Sequence, residues 1–404
     1  MYEPAASLRR PRAVDGDLVA AESARAGGVP AASRPHVCFV APTTWPVLAA
    51  DNSIPVVGGA ELQQTVIATA LAKRGYRVSM LCLDYGQPDG AVVDGVTVHK
   101  LYGPDEGLPI VRFVHPRMTK LWSAMKRVDA DVYYQRCAAV QTGYVAAFCA
   151  RNGKKSIYAG ASDVDFIPGK QDIVYARDRF IFEQGLKRVD RIFVQNPEQG
   201  RLLQENFGRE GALIQNCFTA PAGATADPRG YVLWVATLRT PKRPEVLLEM
   251  ARRMPEHRFV MIGGADPDNP EFGHRIREEA ATLPNVEYKG FLAFAEADRY
   301  FDGARVLVNT SKYEGFPNTF LQAWSRGVPS LGFVDTGSRQ DGEPVYAHAS
   351  DVDDACAQLQ RLMSDDIHWR ASANRAKAYF NANHSVEAVV GQYEREIAQL
   401  CARP

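Results

Sequence analysis

Short apolar runs recur along this chain between amphipathic stretches of helix length. Val37-Cys38-Phe39-Val40 reads as a buried strand, and a long loop then leads to Gly58-Gly59. The helix that follows carries Leu62, Val66, Ile67, Ala70 and Leu71 on one face and ends at Gly75, before a second strand, Arg77-Val78-Ser79-Met80-Leu81. Strand, helix, strand in this order is a βαβ unit, which demands a parallel sheet. Further strands are expected at Val96-Thr97-Val98, Asp131-Val132-Tyr133-Tyr134, Ser156-Ile157-Tyr158, Ile192-Phe193-Val194 and Ala212-Leu213-Ile214, with helices around 116–128, 140–152 and 174–188.

The alternation pauses at Pro221-Ala222-Gly223-Ala224-Thr225-Ala226-Asp227-Pro228, which reads as a linker. It resumes with strands at Tyr231-Val232-Leu233-Trp234-Val235, Arg258-Phe259-Val260-Met261-Ile262, Val286-Glu287-Tyr288 and Arg305-Val306-Leu307-Val308-Asn309. Helices are expected at 243–254, 271–282 and 295–302, and an amphipathic helix over 386–401 closes the chain. The pattern predicts an α/β protein of two tandem Rossmann-like domains facing each other across a cleft, residues 36–222 and 223–404. Residues 1–35, rich in Ala, Arg, Pro, Gly and Ser, read as a disordered arm.

A length of 404 residues fits two domains better than one core. The formal charge of zero gives no global bias towards nucleic acid, so none is expected as a partner. Seven cysteines are scattered without a Cys-x-x-Cys or Cys/His cluster, so neither zinc nor a disulfide framework is indicated and a reduced, cytoplasmic setting fits. No apolar run is long enough for a signal-peptide core or a membrane span.

Chemistry concentrates after Asn309. Glu314-Gly315-Phe316-Pro317 forms a turn between an apolar strand and a helix that begins near Asn318 with Phe320, Leu321 and Trp324 at helical spacing. Gly327 stops that helix, and Val328-Pro329-Ser330-Leu331-Gly332-Phe333 starts another extended segment. Free N–H groups at the helix start favour an anionic ligand above the strand ends. The segment resembles the Glu-x7-Glu signature of the family 4 retaining glycosyltransferases, enzymes of GT-B fold that use nucleotide-sugar donors. Glu314 matches the first acid, which in that family contacts the donor sugar, while Gln322 stands at the ribose-holding second. Gly315, Phe316, Pro317, Asn318 and Thr319 would complete this donor-binding turn.

Four further segments fit the same family in the same order, so the resemblance covers nearly everything after residue 35. Gly58-Gly59 is similar to the first-domain glycine loop that faces the phosphates and the acceptor. Trp234 to Lys242 looks like the segment whose Arg and Lys neutralise the donor diphosphate; Lys242 matches the Lys, Thr237 stands where the Arg is usual, Arg243 where a Gly is usual, and Arg239 is placed to supply a guanidinium. Gly263-Gly264 and Gly290-Phe291-Leu292 end consecutive strands where the family's backbone lines base and phosphates. Lys155 to Asp165 resembles the strand followed by a His-Asp pair near the anomeric carbon, with Ser162 in place of the His and Asp163 matching the Asp. Asp163-Val164-Asp165 also mimics a metal-binding Asp-x-Asp, but that short pattern recurs at Asp266-Pro267-Asp268 and Asp351-Val352-Asp353 and no metal is expected. Asn216 occupies the place of the family's Ile-x-Asn segment, with a turn-forming Asn as the alternative.

The resemblance implies a metal-independent retaining glycosyltransferase, with a nucleoside diphosphate sugar as co-substrate, no bound cofactor, and a hydroxyl acceptor on a growing or lipid-linked glycan of surface polysaccharide synthesis. Glu314, Lys242 and Asp163 are its expected catalytic residues. The final helix is expected to cross back to the first domain, as in GT-B enzymes. Helix 116–128, with Met118, Leu121, Trp122, Met125 and Val128 on one face and basic residues elsewhere, is the candidate surface for peripheral contact with the inner face of a membrane. Losses at Thr237, Ser162 and Gln322 suggest one alternative, a non-catalytic nucleotide-sugar-binding subunit, and a nucleotide-sugar epimerase of the same fold is a second.

Overall fold

The computed structural model describes residues 34–51, 54, 58–107, 113–221, 223 and 230–402. Nearly all of the segment read as an N-terminal arm, and most of the stretch read as a linker, lie outside these residues.

Eight strands make the first sheet: β1 Val37–Val40, β2 Val78–Cys82, β3 Ala91–Val93, β4 Val96–Lys100, β5 Val132–Arg136, β6 Lys155–Ala159, β7 Arg191–Val194 and β8 Ala212–Leu213. Their order is β3-β4-β2-β1-β5-β6-β7-β8, parallel except at the β3 edge. The turn at Asp94-Gly95, both with positive φ (47° and 81°), makes β3 and β4 a hairpin that the apolar pattern alone does not announce. The second sheet follows the order β11-β10-β9-β12-β13-β16, all parallel, from β9 Tyr231–Val235, β10 Phe259–Ile262, β11 Val286–Tyr288, β12 Ala304–Asn309, β13 Ser330–Gly332 and β16 Ala347–His348. A small antiparallel pair, β14 Arg339–Gln340 and β15 Glu343–Pro344, precedes β16. Strand order reverses at β1 and β5 in one sheet and at β9 and β12 in the other. Ligand crevices of open parallel sheets form at such reversals, beyond the carboxyl ends of the strands.

Helices cover both faces of the central strands, which are buried on both sides. Three of them, Pro197–Phe207, Val352–Ser364 and Asp366–Asn383, lie outside the elements read from the apolar pattern. Each starts at a side-chain cap, on Asn196, Asp351 and Asp365 respectively. The final helix, Val386–Ala402, lays Val389, Val390, Tyr393 and Ile397 among Val37, Phe39, Val132 and Phe193 of the first sheet.

The helix expected over 116–128 begins at Thr119, because Pro116 lacks an N–H and holds His115 in an extended conformation (φ −125°, ψ 122°). Leu121, Met125 and Val128 of the stripe that marked it for membrane contact face inward. Leu121, Ala124, Met125 and Val128 are buried against Cys38, Val40 and Tyr133, and the Trp122 indole donates to the Tyr144 carbonyl at 3.0 Å. Most of its apolar stripe is therefore packed into the first domain, with Met118 and Trp122 partly buried beside it. Among the described residues no helix is long and apolar enough to cross a membrane.

Candidate functional site

A cavity of about 460 Å³ opens where the carboxyl ends of the two sheets face each other. Arg136 at the end of β5, Val235 of β9, Ile262 of β10 and Asn309 of β12 all line it, so the strand reversals of both sheets converge on one space.

On the second-domain side, β12 runs out into the turn that carries Glu314. Its Oε1 accepts from Ser311 Oγ at 2.6 Å and pairs with the Lys242 ammonium. Lys242 ends a single helical turn, Thr240–Lys242, after β9, and its carbonyl accepts from Thr310 Oγ1 at 2.6 Å. The Trp234 indole donates to that same hydroxyl at 2.9 Å. Arg243, where the family pattern carries glycine, adopts a left-handed conformation (φ 47°), the backbone that a glycine would take without strain. Its guanidinium donates to the carbonyls of Thr310 and Ser311, so the arginine braces the Glu314 turn.

Arg239, expected near the diphosphate, lines the same cavity at its mouth. It donates through Nε to Asp266 at 3.0 Å and reaches Asp172 of the first domain at 3.4 Å. Gly263 has no room for a side chain, since a Cβ there would lie 1.7 Å from the Ala236 carbonyl oxygen. Gly264 backs onto Phe291, which with Leu292, Phe294 and Val235 makes the apolar end of the cavity. Gln322 is buried and its amide donates to Asp298 Oδ1 at 2.8 Å, while Asp298 Oδ2 holds the buried Arg326 at 2.7 Å. A glutamate at 322 would face that carboxylate, which accounts for the amide.

Across the cleft, Gly58 precedes and Gly59 begins the helix Gly59–Lys73. Asn318 joins the two sides. Its Oδ1 accepts from Gln63 Nε2 and Asn216 Nδ2, each at 3.0 Å, and its Nδ2 donates to the Gly59 carbonyl at 2.9 Å. Phe316, Pro317 and Thr319 line the cavity beside it. Gly315 is instead wedged between the domains. Its carbonyl accepts from Asn196 Nδ2 at 2.8 Å, and a Cβ there would lie 2.4 Å from the Ala161 carbonyl oxygen.

Asp163 does not line the cavity. It sits in the turn Asp163–Phe166 behind Gly315, accepts from the same Asn196 amide at 3.2 Å, and burial pushes its carboxyl up to about 6. Asp165 is a turn clamp: its Oδ2 accepts from Ala161 N at 2.8 Å, Ser162 N at 3.3 Å and the Tyr158 hydroxyl at 3.0 Å. Several lining residues escaped the motif reading, notably Arg136, Cys137 and Gln195. Polar residues directly after an apolar strand, as in Tyr133-Tyr134-Gln135-Arg136 and Phe193-Val194-Gln195, were the available signal, because that is where a parallel sheet meets its ligand.

Two open sheets with a shared cavity at their carboxyl ends define a two-domain α/β enzyme scaffold of GT-B type. Residues 57–218 match Glycosyltransferase Family 4, and residues 229–365 match Glycosyl transferases group 1. Both sides of the cleft fall in these matches, and the chain belongs to the family 4 glycosyltransferases of GT-B fold.

Among curated relatives, it is 24% identical over 207 residues to the GtfA subunit of the UDP-N-acetylglucosamine–peptide N-acetylglucosaminyltransferase of Streptococcus pneumoniae, covering 47% of this chain and 40% of that one. It is 21% identical over 253 residues to D-inositol 3-phosphate glycosyltransferase of Mycolicibacterium smegmatis, covering 58% of this chain and 57% of that one. The match thus spans less than two thirds of these relatives' own length. Among solved structures, sucrose-phosphate synthase from Thermosynechococcus elongatus superposes with a TM-score of 0.73 at 18% identity, over 92% of this chain and all of that one. Anabaena Alr3699/HepE in complex with UDP and glucose superposes with a TM-score of 0.70 at 13% identity, over 90% of this chain and all of that one.

Proposed function

We propose that this chain transfers a sugar from a nucleoside diphosphate sugar to a hydroxyl of a glycan or lipid-linked acceptor, with retention of anomeric configuration, in surface polysaccharide synthesis. The observation that carries the reading is the Lys242–Glu314 ion pair inside the interdomain cavity. A diphosphate entering there offers Lys242 a denser negative charge than one carboxylate, and the exchange frees Glu314 for the hydroxyls of the sugar. Gly263 and Gly264 let backbone approach the nucleotide, and the apolar end at Phe291 and Leu292 suits a base. A structural relative bound to UDP and glucose, and a curated relative acting from UDP-N-acetylglucosamine, support the donor class. A curated relative in Vi polysaccharide biosynthesis of Salmonella typhi supports the pathway class.

In the proposed step the acceptor oxygen bonds to the anomeric carbon on the face from which the phosphate oxygen departs. The departing diphosphate takes the acceptor's proton, so no separate base, cofactor or metal enters the scheme. Negative charge grows on the leaving oxygens as the glycosidic bond breaks, and Lys242 is placed to stabilise it. Lys242→Ala and Glu314→Ala are each expected to lower transfer about 100-fold or more while unfolding like the parent. Transfer and donor hydrolysis, followed over a panel of nucleotide sugars with the product anomer read by NMR, test this. Undiminished turnover in both variants overturns the assignment, and tight donor binding without any turnover in the parent would make the chain a binding subunit.

A further inference from the structure

The cavity wall holds a buried guanidinium that, among the described residues, no carboxylate contacts. Arg136 ends β5 and is only 6% exposed. One terminal nitrogen donates to Asn216 Oδ1 at 2.8 Å, the other lies 3.4 Å from the Tyr134 hydroxyl, and the buried Nε has no partner. Among the described residues no carboxylate pairs with it. Asp165 lies within electrostatic range but directs its hydrogen bonds to its own turn, and Glu61 accepts from the Thr43 hydroxyl at 2.6 Å. Buried guanidinium groups are normally paired, because an uncompensated charge in a protein interior is strongly unfavourable.

The other two cations of the cavity have protein counter-ions, Lys242 in Glu314 and Arg239 in Asp266 and Asp172. Among the described residues, Arg136 is therefore the cation of the cavity wall without a carboxylate in contact. Its guanidinium is also connected to the cleft. Asn216, which accepts from Arg136, donates to Asn318, and Asn318 donates to the Gly59 carbonyl. The charge thus sits behind the Gly58-Gly59 loop and the start of helix Asn318–Trp324, both on the cavity surface. Screening is weak in a wall of this kind, so the field is directed into the cleft.

We propose that Arg136 supplies the standing positive charge that the donor's diphosphate meets in the cleft, offsetting the cation missing at Thr237. This rests on the reading of the cavity as a donor site, and it makes Arg136 a positioning residue acting through Asn216 and Asn318. The bound diphosphate then adds the negative charge that no contacting carboxylate provides.

Inorganic pyrophosphate, titrated by calorimetry into the full chain at several salt concentrations, tests the proposal. Arg136→Gln is expected to weaken pyrophosphate about tenfold or more and to flatten the salt dependence, while Arg136→Lys, which keeps the charge, stays within about threefold of the parent. Lys242→Ala, titrated alongside, reports on the site itself. Parental affinity in Arg136→Gln with clear loss in Lys242→Ala overturns the role of Arg136 and leaves the donor site standing. Parental affinity in both removes the donor site and the proposal with it. Should Arg136→Gln fail to fold, the lysine variant decides: a folded Arg136→Lys with tenfold weaker binding overturns the charge argument, and retained affinity upholds it.

Discussion

Gln322 and Asp298 form a buried pair in which the amide donates and the carboxylate accepts. Restoring the family's acid with Gln322→Glu would set two carboxylates against each other, and one would have to take up a proton or turn away. The expected cost is about 1–3 kcal/mol in chemical denaturation. Removing the second charge in the double variant Gln322→Glu/Asp298→Asn should recover part of it, and the coupling between the two sites in a double-mutant cycle is the measure. Additive effects would show that Asp298 does not dictate the amide. Glu314 and Lys242 were legible in the sequence because each sits in a contiguous motif. Asp298, Arg136 and the bracing role of Arg243 were not, since their meaning lies in partners brought close only by folding: Asn216 is 80 positions from Arg136.

Among the elements, strands and amphipathic helices were readable because burial imposes their periodicity. The helix Asp366–Asn383 was missed although Asp365 caps it, and it leads directly to the crossover at His384. There the His384 Nδ1–H donates to the Asn216 carbonyl at 2.7 Å, the ring packs on Phe316 and Tyr379, and Nε2 is buried without a partner. Protonation would bury an unsatisfied N–H, and burial accordingly holds this imidazole down at about 4. A folded pKa below the unfolded one contributes stability that is full above pH 6.5 and is lost as pH falls towards 4. His36, also lowered to about 4 with burial as the main cause, acts in the same direction, whereas Asp163, raised to about 6, opposes them as pH falls from 6 towards 4. His99 and His368, also lowered mainly by burial, act with the two histidines, and Asp165, raised mainly by burial, acts with Asp163. His384 alone should remove about 2 kcal/mol between pH 6.5 and 5, at roughly 1.4 kcal/mol per unit. Thermal unfolding against pH checks this: the parent's Tm should drop from pH 7 to pH 5, and His384→Gln should flatten the drop. An equal drop in both would exclude His384 as a source.

For the whole molecule, the question is what holds the two domains closed around the cavity. The final helix ties the chain's end to the first sheet through apolar burial, which persists whether the cleft is open or shut. Gly315 against Asn196 and the Asn318 side chain are different, because both join the Glu314 loop and its helix to the opposite wall. Asn318 makes three hydrogen bonds across the cleft, to Gln63, Asn216 and Gly59. At about 1 kcal/mol net for each, they favour closure by about 3 kcal/mol at most, roughly a hundredfold in population. Asn318→Ala should therefore shift the ligand-free protein towards an open form without unfolding either domain. Small-angle scattering should show a larger radius of gyration for the variant, with an unchanged far-UV spectrum. A saturating nucleoside diphosphate should bring it back towards the parent value, because a ligand that contacts both walls favours the closed state by its differential affinity. Scattering identical to the parent without ligand would mean that Asn318 contributes no closing energy, leaving contacts such as Gly315–Asn196 and Arg239–Asp172 to hold the domains together.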